Sequence, residues 1–155
     1  MTQTSESLAP TPAARQFTGG CHCGAVRVTL AWKQAGDPPL RRCTCPFCVK
    51  QGAVYIGHRA AALTIEHGGS LTGYRFGTGT AEFHRCARCG TFIAATCTMD
   101  GRPHAVLNAR TLDGLDIPTV VEPRDYEGEA TSARLDRRRQ TWIPDVAFVP
   151  PLPHA

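Results

Sequence analysis

Lysine is nearly absent from this 155-residue chain: Lys33 and Lys50 are the only two, so the formal charge of +4 rests almost entirely on arginine. No run approaches the ~20 apolar residues that a membrane span requires, so no membrane association through a spanning helix is expected. Residues 1–16 are rich in Ser, Thr, Pro and Ala and lack a basic start followed by an apolar stretch. They are read as a flexible lead rather than a secretory signal, which makes the cytoplasm the expected compartment. Aromatic residues contribute only 7%, although the hydrophobic total of 42% is enough for a core. What the chain has instead is 15 glycines and 12 prolines, a composition of many turns and short elements that favours strands over long helices. The length fits one domain, read here as residues 17–149 with a Pro-rich tail at 150–155.

It also has eight cysteines. In a reducing compartment such a number points to metal ligands before disulfides. Seven fall into three tight groups, Cys21 and Cys23, then Cys43, Cys45 and Cys48, then Cys86 and Cys89, while Cys97 stands alone. Loading two divalent ions on seven thiolates would bring the net charge to roughly +1. That weakens a nucleic-acid-binding reading, and the run Arg137-Arg138-Arg139 is read as a solvated face.

Between these groups the pattern is that of a mainly β chain. Val26, Val28, Leu30 and Trp32 alternate with Arg27, Thr29 and Ala31, the period of a strand with one buried face. Further strands are predicted at 53–56, 60–66, behind Phe92, and at 104–108, with strand pieces around Tyr74, Phe76 and Phe83. Cys43 to Cys48 is read as a loop. One helix is predicted, over 132–140 with Ser132 as its N-cap. Trp142, Ile143, Val146 and Phe148 are expected to pack back on the body.

A four-cysteine zinc site is commonly assembled from two tight turns, each offering two sulfurs to one ion. Cys86-Ala87-Arg88-Cys89-Gly90 has the form of such a knuckle, and Cys21-His22-Cys23-Gly24 is a shorter one that can supply the other half. Two plus two closes a tetrahedral site and leaves Cys43, Cys45 and Cys48 as a group of three. Three protein ligands leave zinc an open position, which distinguishes catalytic from structural sites. The bland alternative is closure by Cys97, or by His22, His58 or His84. An ion held by three thiolates suits a soft ligand such as a substrate thiolate. Lys50, two residues after the last sulfur, is placed to meet an anionic group, or is a plain surface lysine.

These motifs resemble the CENP-V/GFA family, the glutathione-dependent formaldehyde-activating enzymes and their relatives. Gly20-Cys21-His22-Cys23-Gly24-Ala25-Val26 is similar to the opening motif of that family. Cys43-Thr44-Cys45-Pro46-Phe47-Cys48-Val49-Lys50 is similar to its central motif, and Phe83-His84-Arg85-Cys86-Ala87-Arg88-Cys89-Gly90 to its late knuckle. Tyr74 and Leu112-Asp113 also sit where the family tends to have such residues. The resemblance runs from about Phe17 to Asp116. It departs in the central motif, where Pro46, Phe47 and Val49 stand in place of small polar residues and an Arg.

The resemblance implies a β-tent fold of short antiparallel sheets with two zinc ions. A structural ion would be held by Cys21, Cys23, Cys86 and Cys89, and a catalytic, more easily lost ion by Cys43, Cys45 and Cys48. It implies a carbon–sulfur lyase-like activity on glutathione or a related thiol and a small aldehyde, forming S-(hydroxymethyl)glutathione from formaldehyde. The rival expectations are a zinc-stabilised binding module without catalysis and a thiol redox or metal-storage protein.

Overall fold

Strand β2 (Arg27–Trp32) shows why the alternating pattern is decisive: Val28, Leu30 and Trp32 are buried while their neighbours are not. The computed structural model describes residues 13–153. Most of the lead at 1–16 and the last two residues of the tail at 150–155 thus lie outside the described residues. The part of the lead that is described is not slack, because β1 begins at Arg15 (Arg15–Gly20) and pairs antiparallel with β2.

Two sheets, two α-helices and a 3-10 turn at Ala109–Thr111 make up the described residues, the mainly β fold expected. The remaining strands are β3 (Leu40–Cys43), β4 (Tyr55–Ile56), β5 (Ala61–Glu66), β6 (Leu71–Tyr74), β7 (Glu82–Cys86), β8 (Phe92–Met99), β9 (Arg102–Asn108), β10 (Pro123–Arg124) and β11 (Asp145–Val149). One sheet has the order β1-β2-β5-β11, the other β10-β3-β4-β9-β8-β7-β6. The pairings are antiparallel with two exceptions, β11 on β5 and β10 on β3, which are parallel edge additions from the C-terminal part of the chain.

Strands β8 and β9 form a partition with apolar residues on both faces. Ile93, Ala94, Ala105 and Leu107 face the four-stranded sheet, where they meet Leu30, Leu63 and Ile65. Phe92, Ala95, Cys97, Met99 and Val106 face the other way and build a second core with Tyr55 and Trp142. Strand β8 is buried at every position but Thr98, in keeping with its lack of charge. Each fully buried Leu or Ile contributes about 1.5–3 kcal/mol of transfer free energy, so this double-sided packing fixes the sheets firmly.

Two local expectations are corrected. The stretch from Cys43 to Cys48 is not all loop: Pro46–Gln51 is helix α1, with Pro46 in its first turn and Cys45 as N-cap, the Cys45 sulfur accepting from the Cys48 N–H. The predicted C-terminal helix exists as α2 (Thr131–Thr141), but its N-cap is Ala130 and not Ser132, which lies inside the first turn. Beyond α2, Trp142 and Ile143 are buried, and Ile143 exchanges two backbone hydrogen bonds with Ala105 (2.9 and 2.8 Å). Val146 and Phe148 pack on the main core, as expected.

Candidate functional site

The fold gathers seven of the cysteines into two clusters, one on each core. Cys21 and Cys23 lie in the turn after β1, while Cys86 ends β7 and Cys89 lies in the turn before β8. All four sulfurs are within 4.8 Å of one another, with Cys21–Cys23 at 3.7 Å and Cys23–Cys86 at 3.8 Å. Gly24 and Gly90 close the two turns with φ of 81° and 78°, backbone that a side chain would strain. The Val26 N–H donates to the Cys21 sulfur at 3.2 Å. The hydroxyl of Thr91, 3.3 Å from the Cys89 sulfur, holds that thiol down to about 5. Cys86 is fully buried in the main core, so this cluster lies where an ion would tie the first turn of the domain to β7 and β8.

The second cluster comes from β3 and α1. Cys43 ends the strand, Cys45 caps the helix and Cys48 is buried in its first turn, with the three sulfurs again within 4.8 Å of one another. The N–H groups of Cys45 and Cys48 donate to the sulfurs of Cys43 and Cys45, each at 3.5 Å. The hydrogen bond from Cys48, ahead of the nearby N–H of Cys45, pulls the Cys43 thiol down to about 6. Cys48 is driven the opposite way by that same contact and by burial, so the pair shares its proton with the charge on Cys43. The Tyr55 hydroxyl lies 3.0 Å from the Cys48 sulfur.

Among the described residues no histidine and no further cysteine joins either cluster. His84 is buried with Nε2 2.7 Å from the Thr96 hydroxyl, His58 Nδ1 accepts from the Ala60 N–H, and His22 is exposed. Cys97 is buried in the second core, a small apolar side chain there. Both clusters offer thiols only, with N–H donors aimed at sulfur, a donor set that fits a soft divalent ion such as zinc.

The three-cysteine cluster opens into a cavity of about 430 Å³. Its walls are the cluster itself, Phe76 to Thr78 before β7, the segment 124–127, and the inner face of α2. Sequence reasoning missed most of this wall. Lys50, expected to meet an anionic group, is exposed in the last turn of α1 and does not line the cavity. The arginine run, expected to be solvated, turns inward at two of its three positions: Arg137 and Arg138 line the cavity with Arg134, Arg41, Arg42 and Arg124, and Arg138 is only 6% exposed, whereas Arg139 stays at the surface with Asp100 and Asp136. The spacing of Arg134, Arg137 and Arg138 on one helical face was the available signal.

Residues 16–126 match the model of the glutathione-dependent formaldehyde-activating enzyme family. The chain belongs to that family. A crystal structure of a Rhodobacter sphaeroides protein is also similar, with TM-score 0.53 and 28% identity, covering 69% of this chain and 99% of that one. In this member of the glutathione-dependent formaldehyde-activating family all seven clustered cysteines fall within the matched residues, whereas α2 and β11 lie beyond them.

Proposed function

We propose that this protein is a zinc-dependent enzyme of the carbon–sulfur lyase type that joins glutathione or a related thiol to a small aldehyde. The observation that carries this reading is the contrast between the two clusters: four sulfurs closed on the main core, and three sulfurs open to a cavity. In the reaction the thiol sulfur bonds to the aldehyde carbon, the carbonyl π bond breaks, and the proton of the thiol ends on the new hydroxyl.

Cys21, Cys23, Cys86 and Cys89 would hold a structural ion, and Cys43, Cys45 and Cys48 the catalytic one. When bound there, zinc supplies an open coordination position that favours the thiolate form of the substrate. The chain's own residues do the rest. Tyr55 and the N–H groups of Cys45 and Cys48 support the three sulfurs. Phe83, Val106 and Trp142 keep that part of the cavity apolar and limit water. Both reactants are intrinsically reactive, so holding them together is the main contribution.

Elemental analysis is expected to find two zinc ions per chain, and Cys45→Ser to lose one of them together with enzymatic formation of S-(hydroxymethyl)glutathione. A Cys45→Ser protein that keeps the second ion and its full turnover would overturn the proposal. Two ions in the parent chain without thiol–aldehyde turnover would turn it into a zinc-stabilised binding module.

A further inference from the structure

The cavity wall carries six arginines against two carboxylates, Asp125 and Glu127. Several of the six are already engaged. Arg137 forms a two-pronged pair with Glu129, both distances 2.9 Å, and its guanidinium stacks 3.6 Å above the Tyr126 ring. Arg134 donates to the Tyr126 carbonyl and faces Glu129 at 3.7 Å. Arg124 pairs with Glu122.

Arg138 and Arg41 are different. Like the exposed Arg42, which donates from Nε to the Val121 carbonyl at 3.2 Å, neither forms an ion pair with a carboxylate among the described residues, but Arg138 is buried and Arg41 half-buried. Arg138 rests on the Trp142 ring at 4.7 Å and donates from Nη1 to the Thr80 hydroxyl at 2.8 Å, while its buried Nε has no partner among the described residues. Arg41 spends one nitrogen on the carbonyls of Gly57 and Thr141 at 2.6 and 2.9 Å. Burial pulls the Arg138 guanidinium below its ordinary value, opposed first by the nearby Cys97 sulfur. A buried cation with no carboxylate to pair with is costly and is relieved when an anion enters. Carboxylate is the anion whose planar geometry the guanidinium fork matches.

We propose that Arg138 and Arg41 form a carboxylate subsite in the same cavity as the three-cysteine cluster, so that the substrate is an anionic thiol or thiol adduct and not a neutral one. The assignment rests on the reading of the three-cysteine cluster as the place where the thiol sulfur binds. It also gives α2 a role, since Arg138 comes from the helix that lies beyond the family-matched residues and Thr141 at its end anchors Arg41. These two are specificity-determining residues, acting on the remote end of the substrate while the cysteines act at its sulfur.

The test compares two thiols of equal length, 3-mercaptopropionate and 3-mercaptopropan-1-ol, binding to the zinc-loaded full chain by isothermal titration calorimetry at physiological salt. The acid is expected to bind about tenfold or more tightly, the range of a charge-assisted hydrogen bond. In Arg138→Gln that advantage is expected to fall below about threefold. Equal affinities in the parent chain, a comparison that needs no variant to fold, would overturn the subsite, as would an advantage that survives intact in a folded Arg138→Gln protein. The readout is independent of turnover. Preference for the acid without any addition to formaldehyde would sink the lyase reading and leave the subsite standing. Addition to formaldehyde with equal binding of both thiols would do the reverse.

Discussion

The hydroxyl of Tyr55 lies 3.0 Å from the sulfur of Cys48, and both side chains are at most 5% exposed. Burial, ahead of the neighbouring sulfurs, pushes the tyrosine hydroxyl well above its ordinary value, so it stays protonated and is free to donate once Cys48 is a thiolate. With zinc bound, a Cys48 thiolate would accept that hydrogen bond and would thereby be held in one orientation as a ligand. Partners that support metal ligands in this way are typically worth about 10–100-fold in metal affinity. Tyr55→Phe keeps the ring against Phe92 and removes only the donor. It is expected to weaken zinc at the three-cysteine cluster by about tenfold, read by competition with a chromophoric chelator, while the four-cysteine cluster is unaffected. Unchanged affinity would show that the hydroxyl does not support the ligand.

The two clusters should also separate in their effect on stability. Cys86 is buried in the main core beside Ile93 and Ile65, whereas Cys43 and Cys45 line a cavity. Removing a ligand from a closed structural site exposes the fold to much of the free energy of metal binding, about 10–16 kcal/mol for small zinc modules. Cys86→Ser is expected to lower the thermal midpoint by at least ~10 °C, or to leave no cooperative transition. Cys43→Ser is expected to keep the transition within a few degrees while the bound zinc falls by one per chain. Circular dichroism melts of the two variants side by side decide this, and equal midpoints would contradict the division of labour.

The grouping of the seven cysteines into four and three was legible because metal-ligand spacing is a local property. The knuckle turns and the group of three are written within a few residues each, and so is the alternation of β2. What escaped was non-local or disguised. Helix α1 was hidden because its cap is Cys45 and not Ser, Thr, Asp or Asn, although Pro46 at its start was a cue. The parallel strand β11 could not be placed, since Asp145 to Val149 pair with residues more than eighty positions earlier, and no short-range pattern carries that pairing. The inward turn of Arg138 follows from the same long-range docking of α2. A run of three arginines reads as surface until Trp142 and Thr80 are seen beneath the middle one.

Phe47, one of the departures from the usual central motif, pins α1 to the cavity wall. Its ring lies 4.7 Å from Phe83, 4.9 Å from Phe76, 5.7 Å from Tyr74 and 5.8 Å from Phe92, centroid to centroid. Because Phe47 is only half-buried, Phe47→Ala is expected to cost about 2 kcal/mol, less than the 3–5 kcal/mol of a fully buried ring. Urea denaturation measures this. The same variant should raise hydrogen exchange at the amides of α1 before those of β8, because the helix loses its main apolar contact. A loss below about 0.5 kcal/mol would mean that the aromatic cluster only fills space.

Stability should fall between neutral and mildly acid pH through His84. The ring is 2% exposed on the strand that carries Cys86, with Nε2 2.7 Å from the Thr96 hydroxyl and the Phe148 ring 5.4 Å away. Burial, opposed only by Glu82, depresses the imidazole below its ordinary value, with Arg75 and His67 pushing in the same direction. The folded protein therefore holds His84 neutral at a pH where the unfolded chain already binds the proton. With the unfolded state taking up more protons, stability is fully present above the unfolded value near ~6.5 and is lost as pH falls toward the lower folded value. The slope from one such group is at most about 1.4 kcal/mol per pH unit. Urea midpoints at pH 7.5 and 5.5 are expected to differ by more in the parent protein than in His84→Gln, which retains a polar partner for Thr96. Metal loss on acidification lowers both proteins alike, so the difference between their two slopes isolates the histidine. Parallel slopes would show that His84 titrates no differently in the folded and unfolded chains.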